Sequence, residues 1–221
     1  VLEAFAEAMR NIRDFHELQL PSPFEAEIGG NTLGYKYVPF QSTALYVPGG
    51  KALYPSTVMM GMIPAAIAGV RDTILVSAPN ERDRGVPEIV RAVAAMAGAK
   101  KILQAGGAQG ILAAAFGVPE LGIEPVDFIF GPGNIYVAAA KSYAAQNNFC
   151  GIDSFAGPSE VAIIADDSAN PYWLAHDLLA QAEHDENASA VLLITDQRVA
   201  EETLAKIEAA TASRGERSHI T

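Results

Sequence analysis

The chain has 221 residues, of which 50% are apolar and 19% charged, a composition typical of a folded globular protein. Its formal net charge of −11 disfavours nucleic acid and anionic membrane surfaces as partners, because both repel an acidic protein. The acidic charge makes a small molecule the expected partner. No apolar run approaches the roughly 20 residues that a membrane-spanning helix needs.

The N-terminal part of the chain predicts one helix and two short extended segments. Apolar residues between positions 3 and 18 recur every three or four residues, as in an amphipathic helix: Phe5, Met9, Ile12 and Phe15. This helix ends before Pro21-Ser22-Pro23, because proline disfavours helical backbone in the preceding residue. Extended segments are predicted at 33–38 and 44–47, and Pro48-Gly49-Gly50 predicts a turn after them.

The rest of the chain alternates apolar strands with alanine-rich helices. Strands are predicted at 73–77, 101–103, 126–130, 161–164 and 190–195. Helices are predicted at 56–69, 86–97, 107–116, 134–146, 171–184 and 198–212. Continuous rather than alternating hydrophobicity in the strands predicts burial on both faces, as in a parallel sheet flanked by helices. The predicted fold class is therefore α/β, and such sheets bind ligands at the carboxyl ends of their strands.

The ends of the chain and its cysteine bear on two questions: the cellular compartment of the protein and whether the chain is part of a longer one. The start Val1-Leu2-Glu3-Ala4 has neither a basic segment nor an apolar segment typical of an export signal. The single cysteine, Cys150, excludes an internal disulfide, fits a reducing compartment and is interpreted as packing rather than as a nucleophile. We therefore expect a cytoplasmic protein. Because the chain begins at Val1 and stops at Thr221 just after a helical segment, we also expect it to be a piece of a longer polypeptide.

Three glycine-bearing turns are candidates for cofactor binding, and each has a simpler alternative. Tyr46 precedes the first turn and can stack on a flat ligand, or can be a buried tyrosine at a strand end. Gln109 follows Gly106-Gly107 between a strand and a helix, where glycines can also serve only the turn. Asn134 ends Gly131-Pro132-Gly133-Asn134 and can reach a ligand or cap a helix. One cofactor lying across the sheet edge would explain all three.

Two further features suggest a substrate or metal site. Ser159, after Gly157-Pro158, can present its hydroxyl to a substrate or satisfy a turn amide. Gln181 and His184 are three residues apart near a predicted helix end, so both can address one point. Histidine and glutamine can bind zinc, but two ligands do not complete a site, and a solvated helix end is the alternative.

In this order and spacing the motifs resemble histidinol dehydrogenase. The match runs from Ile12-Arg13-Asp14-Phe15-His16-Glu17 to Gln181-Ala182-Glu183-His184, and Gly110 stands where an alanine is common. The resemblance implies incomplete Rossmann-like sub-domains. We predict the helix and extended segments of a first sub-domain over 1–45, an NAD-binding sub-domain over 46–155, and a return to the first over 156–221. The irregular stretch 149–158 is the candidate boundary between sub-domains.

The resemblance also implies an activity and residue roles. It implies zinc- and NAD-dependent oxidation of L-histidinol to L-histidine by a homodimer. Tyr46, Gln109 and Asn134 would contact NAD, Ser159 would contact the substrate, and Gln181 and His184 would bind both zinc and substrate. Members of the family are about twice as long, and their glutamate-histidine bases and remaining zinc ligands have no counterpart here. We therefore expect no catalytic base in this chain and little or no activity from it alone.

Two alternatives remain open at this point. A related enzyme of the same fold could oxidise another small polar alcohol, since the motifs do not define the substrate pocket. A non-catalytic nucleotide-binding module would explain the glycine-bearing turns and the missing bases.

Overall fold

The computed structural model describes residues 2–49, 53–80, 83–154, 160–183 and 188–212. The chain divides into two compact units, Val1–Ala156 and Gly157–Thr221. The division falls inside the irregular stretch 149–158. The predicted return of 156–221 to a first sub-domain stays a prediction.

The first unit begins with a helix and a hairpin. Helix α1 (Leu2–Glu17) packs Phe5, Met9 and Ile12 against one of the unit's two apolar clusters, as its periodicity predicts. Strands β1 (Phe24–Ile28) and β2 (Asn31–Tyr35) pair antiparallel. Gly29 and Gly30 connect them with φ of 60° and 76°, and a two-residue hairpin turn with positive φ at both positions favours glycine. Strand β1 is not among the predicted segments, and the predicted segment 33–38 begins two residues later and ends three residues later than β2.

The centre of the first unit is a five-stranded parallel sheet. Its strands are β3 (Ser42–Val47), β4 (Asp72–Ser77), β5 (Lys101–Leu103), β6 (Phe128–Phe130) and β7 (Gly151–Ile152). They lie in the order β5-β4-β3-β6-β7. Counted from β3, this is the Rossmann-type order 3-2-1-4-5, with the reversal of direction between β3 and β6. The parallel sheet is confirmed, although the two-residue β7 was not predicted.

Four helices cover the two faces of this sheet. They are α2 (Pro55–Ile67), α3 (Glu88–Met96), α4 (Gly107–Phe116) and α5 (Ile135–Gln146). Alternate residues of β3 enter different clusters, since Tyr46 packs with Ile111 and Val137 while Leu45 packs with Met62 and Val90. Burial on both faces, expected from the continuous hydrophobicity of the strands, is confirmed for this sheet.

The second unit is a smaller α/β arrangement whose two helices lie on one face of its strands. Strands β8 (Glu160–Ala165) and β9 (Ser189–Ile194) pair in parallel, and α6 (Pro171–Ala182) and α7 (Gln197–Ala212) pack against them and each other. Ile164 is 84% exposed and Leu193 54%, whereas Ile163 and Leu192 are half-buried. The expectation of two-face burial is therefore wrong for β8 and β9 among the described residues, because both helices lie on one side.

The predicted bounds of the helices differ from the observed ones by at most two residues at either end. No helix among the described residues is long and apolar enough to span a membrane.

Candidate functional site

The sheet brings the ends of five strands to one edge. All five run in parallel, so the residues that follow Val47, Ser77, Leu103, Phe130 and Ile152 lie at the same side. Strand order reverses between β3 and β6, and open α/β sheets bind ligands outside the carboxyl ends of the strands at such a point. The turns after β3 and β6 therefore flank the candidate site.

Glycines allow these turns to touch. A Cβ on Gly49 would lie 2.3 Å from the carbonyl oxygen of Ala78, and one on Gly106 would lie 2.6 Å from the Cβ of Ala78. A Cβ on Gly131 would lie 2.2 Å from the carbonyl oxygen of Tyr46. The turns after β3, β4 and β5 thus touch one another, and the turn after β6 packs on β3 itself. A larger residue at any of these positions would break the contact.

Tyr46 joins β3 to the start of α4. Its side chain is 4% exposed, and its hydroxyl oxygen accepts a hydrogen bond of 3.0 Å from the backbone N–H of Gly107. The ring is therefore a buried tyrosine at a strand end, as in the simpler alternative. Within the described residues that bond uses only an oxygen lone pair, so the hydroxyl hydrogen can still be donated.

Gln109 lies in the first turn of α4, two residues beyond the glycine bonded to Tyr46. It is exposed, and its Oε1 lies close to Gly107, whose φ is 61°. Gly106 at the N-cap provides no side-chain cap for α4. The first N–H groups of a helix carry partial positive charge, so this end of α4 favours an anionic group.

Asn134 is the N-cap of α5. Its Oδ1 accepts hydrogen bonds of 3.1 Å from the N–H groups of Tyr136 and Val137, and the residue is exposed. Capping therefore uses the Oδ1 atom of the Asn134 side chain. Because the cap uses only the oxygen, the NH₂ group can serve as a donor to a ligand.

An ion pair that the sequence analysis missed holds the turn after β6. Lys141 of α5 is 1% exposed, and its Nζ donates to the carbonyl oxygen of Gly131 at 2.6 Å and to Asp153 Oδ1 at 2.8 Å. Asp153 Oδ2 accepts the N–H of Gly131 at 2.8 Å. One signal was available: Val137, Lys141 and Ala144 share the buried face of α5, where a lysine is unusual.

A groove of about 310 Å³ opens beside this turn, between β3, β6 and α2. Ser56, Thr57 and Asp153 supply its polar lining, and its volume is at the low end of the range for small-molecule sites. A cavity of about 280 Å³ lies at the amino ends of the strands, around Asp72 and Lys101. The first lies at the carboxyl edge, where parallel sheets bind ligands, but Tyr46, Gln109 and Asn134 are not among its lining residues.

The predicted substrate and metal residues belong to the second unit. Gln181 is half-buried near the end of α6. Ser159 and His184 lie outside the described residues. Among the residues that the structure describes, no group of three His, Cys, Asp or Glu could hold a metal ion. The described residues therefore offer one of the predicted zinc ligands and no metal centre.

Cys150 lies next to β7 and packs against the cluster around Ile111 and Val137. Burial raises the pKa of its thiol above the ordinary value, which disfavours the reactive thiolate. The interpretation of Cys150 as packing agrees with this environment.

Comparison with known proteins gives one family. A family model described as histidinol dehydrogenase matches residues 1–221. The histidinol dehydrogenase of Leptospira biflexa is 50% identical over 97% of this chain and 49% of its own length. That of Halalkalibacterium halodurans is 48% identical over 94% of this chain and 48% of its own length.

A solved structure agrees with this result. The crystal structure of histidinol dehydrogenase from Elizabethkingia anophelis matches with a TM-score of 0.90 and 39% identity over 99% of this chain and 50% of that one. The chain thus spans about half the length of the relatives it matches. With the motifs, the fold and the comparisons in agreement, the chain belongs to the histidinol dehydrogenase family.

Proposed function

We propose that this chain supplies the cofactor-binding half of an enzyme that oxidises L-histidinol to L-histidine in two NAD-dependent steps. The observation that carries the proposal is the close packing of the strand-end turns at the carboxyl edge of the sheet, where strand order reverses. Membership of the histidinol dehydrogenase family supports an oxidoreductase of histidine biosynthesis.

The proposed NAD contacts are Tyr46, Gln109 and Asn134. The hydroxyl hydrogen of Tyr46 and the amide NH₂ of Asn134 are donors suited to ribose or phosphate oxygens. Gln109 lies at the start of α4, which has no N-cap side chain and whose partial positive charge favours the anionic diphosphate of a dinucleotide. NAD, when bound, accepts a hydride, and the contribution of these residues is to hold it in one orientation.

The proposed zinc ligands are Gln181 and His184, with Ser159 contacting the substrate. The described residues do not form a metal centre by themselves, so further ligands would have to come from other parts of the protein. We expect weak zinc binding by this chain, because incomplete coordination forfeits most of the binding energy. Tight stoichiometric zinc in a competition with a chromophoric chelator would count against this expectation. Homodimerisation and a cytoplasmic location also stay predictions.

Calorimetric titration of the chain with NAD⁺ tests the cofactor site. We expect saturable binding that Gln109→Ala weakens several-fold, since the substitution removes one polar contact. Gln146→Ala is the matched control, because Gln146 is an exposed glutamine at the far end of α5 that bonds Ser142. Absence of saturable binding, or equal loss in both variants, would exclude the proposed site.

Production of NADH from L-histidinol tests the reaction. The chain alone should be inactive or nearly so, because a missing general base typically costs 10² to 10⁴ in rate. Co-expression with the part of the Leptospira biflexa relative that this chain does not match should restore NADH formation, since we expect that part to carry the bases. Sustained NADH formation by the 221-residue chain alone would contradict the proposal that the chain lacks the catalytic bases.

A further inference from the structure

Lys141 is the one charged side chain that is buried among the described residues. A buried ammonium loses its hydration, so it needs a charged partner and filled hydrogen bonds. Asp153 and the carbonyl oxygen of Gly131 meet this need at 2.8 and 2.6 Å. The chain therefore places a costly group where an apolar residue would fill the same space, and stability alone does not explain that choice.

The pair holds both polar groups of a single peptide residue. Lys141 binds the carbonyl oxygen of Gly131, while Asp153 accepts the N–H of Gly131 at 2.8 Å. Asp153 is itself fixed, since its Oδ1 also accepts the N–H of Ser154 at 2.7 Å. Gly131 is thus clamped between the side chains of Lys141 and Asp153 and the backbone of β3.

The clamped residue begins the turn that carries Asn134. Gly131 has a φ of 108°, a region that side-chain-bearing residues rarely adopt, and Gly133 adds a second glycine to the turn. Pro132 fixes its own φ, but the glycines on either side of it have little conformational preference. The pair supplies the restraint that Gly131 lacks.

We propose that Lys141 and Asp153 are positioning residues that hold the turn 131–134 in its ligand-binding geometry, and through it the amide of Asn134. This inference rests on the proposed role of Asn134 in NAD binding. Neither residue needs to touch the cofactor, because both act through the backbone of Gly131. Loss of one partner should therefore lower cofactor affinity, and it should lower stability as well, because the other charge is left unpaired.

The test compares the chain with its Lys141→Met, Lys141→Arg and Lys101→Met variants. Lys101 is the matched control, because its Nζ also binds a glycine carbonyl, that of Gly122, but it is exposed and lies at the opposite edge of the sheet. Amide hydrogen exchange of Gly131, Tyr136 and Val137 reports the turn, NAD⁺ titration reports affinity, and urea unfolding reports stability.

We expect K141M to speed exchange at Gly131 and to weaken NAD⁺ binding by about tenfold, through loss of a charge-assisted hydrogen bond to the turn. K141R, which keeps the charge, should recover part of the exchange protection at Gly131 and part of the NAD⁺ affinity. K101M should change neither the exchange nor the affinity. Unchanged exchange and affinity in K141M would overturn the inference. If K141M does not fold, the double variant K141M/D153N carries the same expectations, since it removes both charges together and leaves neither unpaired.

The two readouts separate this inference from the proposed function. If the unmodified chain binds no NAD⁺, the cofactor assignment fails. If it binds NAD⁺ while the exchange of Gly131 is the same in K141M and K101M, only the positioning role fails.

Discussion

The hydroxyl of Tyr46 and the backbone N–H of Gly107 are joined by a 3.0 Å hydrogen bond across 61 positions of the chain. Tyr46 lies near the end of β3, and Gly107 is the first residue of α4. The bond satisfies one of the N–H groups that a helix start leaves without an internal partner. It also fixes the start of α4, and Gln109 with it, relative to the central strand.

Tyr46→Phe removes this bond and the hydroxyl proposed to contact NAD, and it keeps the ring. We expect the free energy of unfolding to fall by about 1 kcal/mol or somewhat more, because the half-buried N–H of Gly107 loses its partner. NAD⁺ affinity should fall as well, since the start of α4 is released. Urea unfolding and calorimetry measure the two effects. Tyr37→Phe, at a side chain 58% exposed, should change neither, and an equal effect in both variants would contradict the role of the bond.

Two substitutions at Asn134 separate helix capping from ligand binding. Asn134→Ala should cost about 1 kcal/mol of stability and also weaken NAD⁺ binding, because it removes both the cap and the amide donor. Asn134→Asp keeps the capping oxygen and adds a charge favourable at a helix start, so stability should hold while NAD⁺ affinity falls. Thermal unfolding and NAD⁺ titration of both variants are the measurements.

The control for these variants is the equivalent cap in the second unit. Asn170 caps α6 by accepting the N–H of Tyr172 at 2.9 Å. Asn170→Ala should lower stability by a similar amount without changing NAD⁺ affinity. If Asn134→Asp binds NAD⁺ as well as the unmodified chain does, Asn134 is only a cap.

Much of the first unit could be predicted because its signals are local. Continuous apolar runs mark strands buried on both faces, and glycines mark the turns that follow them. The 107–116 helix and the 101–103 strand were predicted with their observed bounds. Continuous hydrophobicity wrongly predicts burial on both faces at Ile164. Whether a second face of a strand is covered depends on other parts of a protein rather than on the strand itself.

The contacts that organise the site could not be predicted from the sequence. The periodicity of α5 places Lys141 on its buried face, but nothing local identifies Asp153 as its partner. The bond from Gly107 to Tyr46 likewise depends on the order of strands in the sheet, which a single sequence does not specify. Candidate residues were therefore identifiable from motifs, whereas the residues that position them needed the fold.

Gly131→Ala tests the contact between the turn after β6 and the central strand. The new Cβ would lie 2.2 Å from the carbonyl oxygen of Tyr46, so the turn or β3 must move. We expect a loss of about 2 to 4 kcal/mol in the free energy of unfolding, together with weaker NAD⁺ binding.

Gly98 is the matched control for this substitution. Its φ is 90°, but a Cβ there would meet nothing within 4 Å. Gly98→Ala should therefore cost only the backbone strain, roughly 1 to 2 kcal/mol, and leave NAD⁺ affinity unchanged. Equal losses in both variants would show that the contact with Tyr46 adds nothing beyond that strain.

Cys150 provides a measurement that is specific to one residue, since the chain has a single cysteine. Burial raises the pKa of its thiol, so the native chain should react with iodoacetamide more slowly at pH 8 to 9 than the chain unfolded in urea. The sign for stability follows from the same shift. The contribution of the thiol to the free energy of unfolding is fully present below its ordinary pKa. It is lost as the pH rises through the raised value, because the thiol of the unfolded chain ionises first. Equal alkylation rates for the native and unfolded chains would contradict the burial of Cys150 beside Ile111 and Val137.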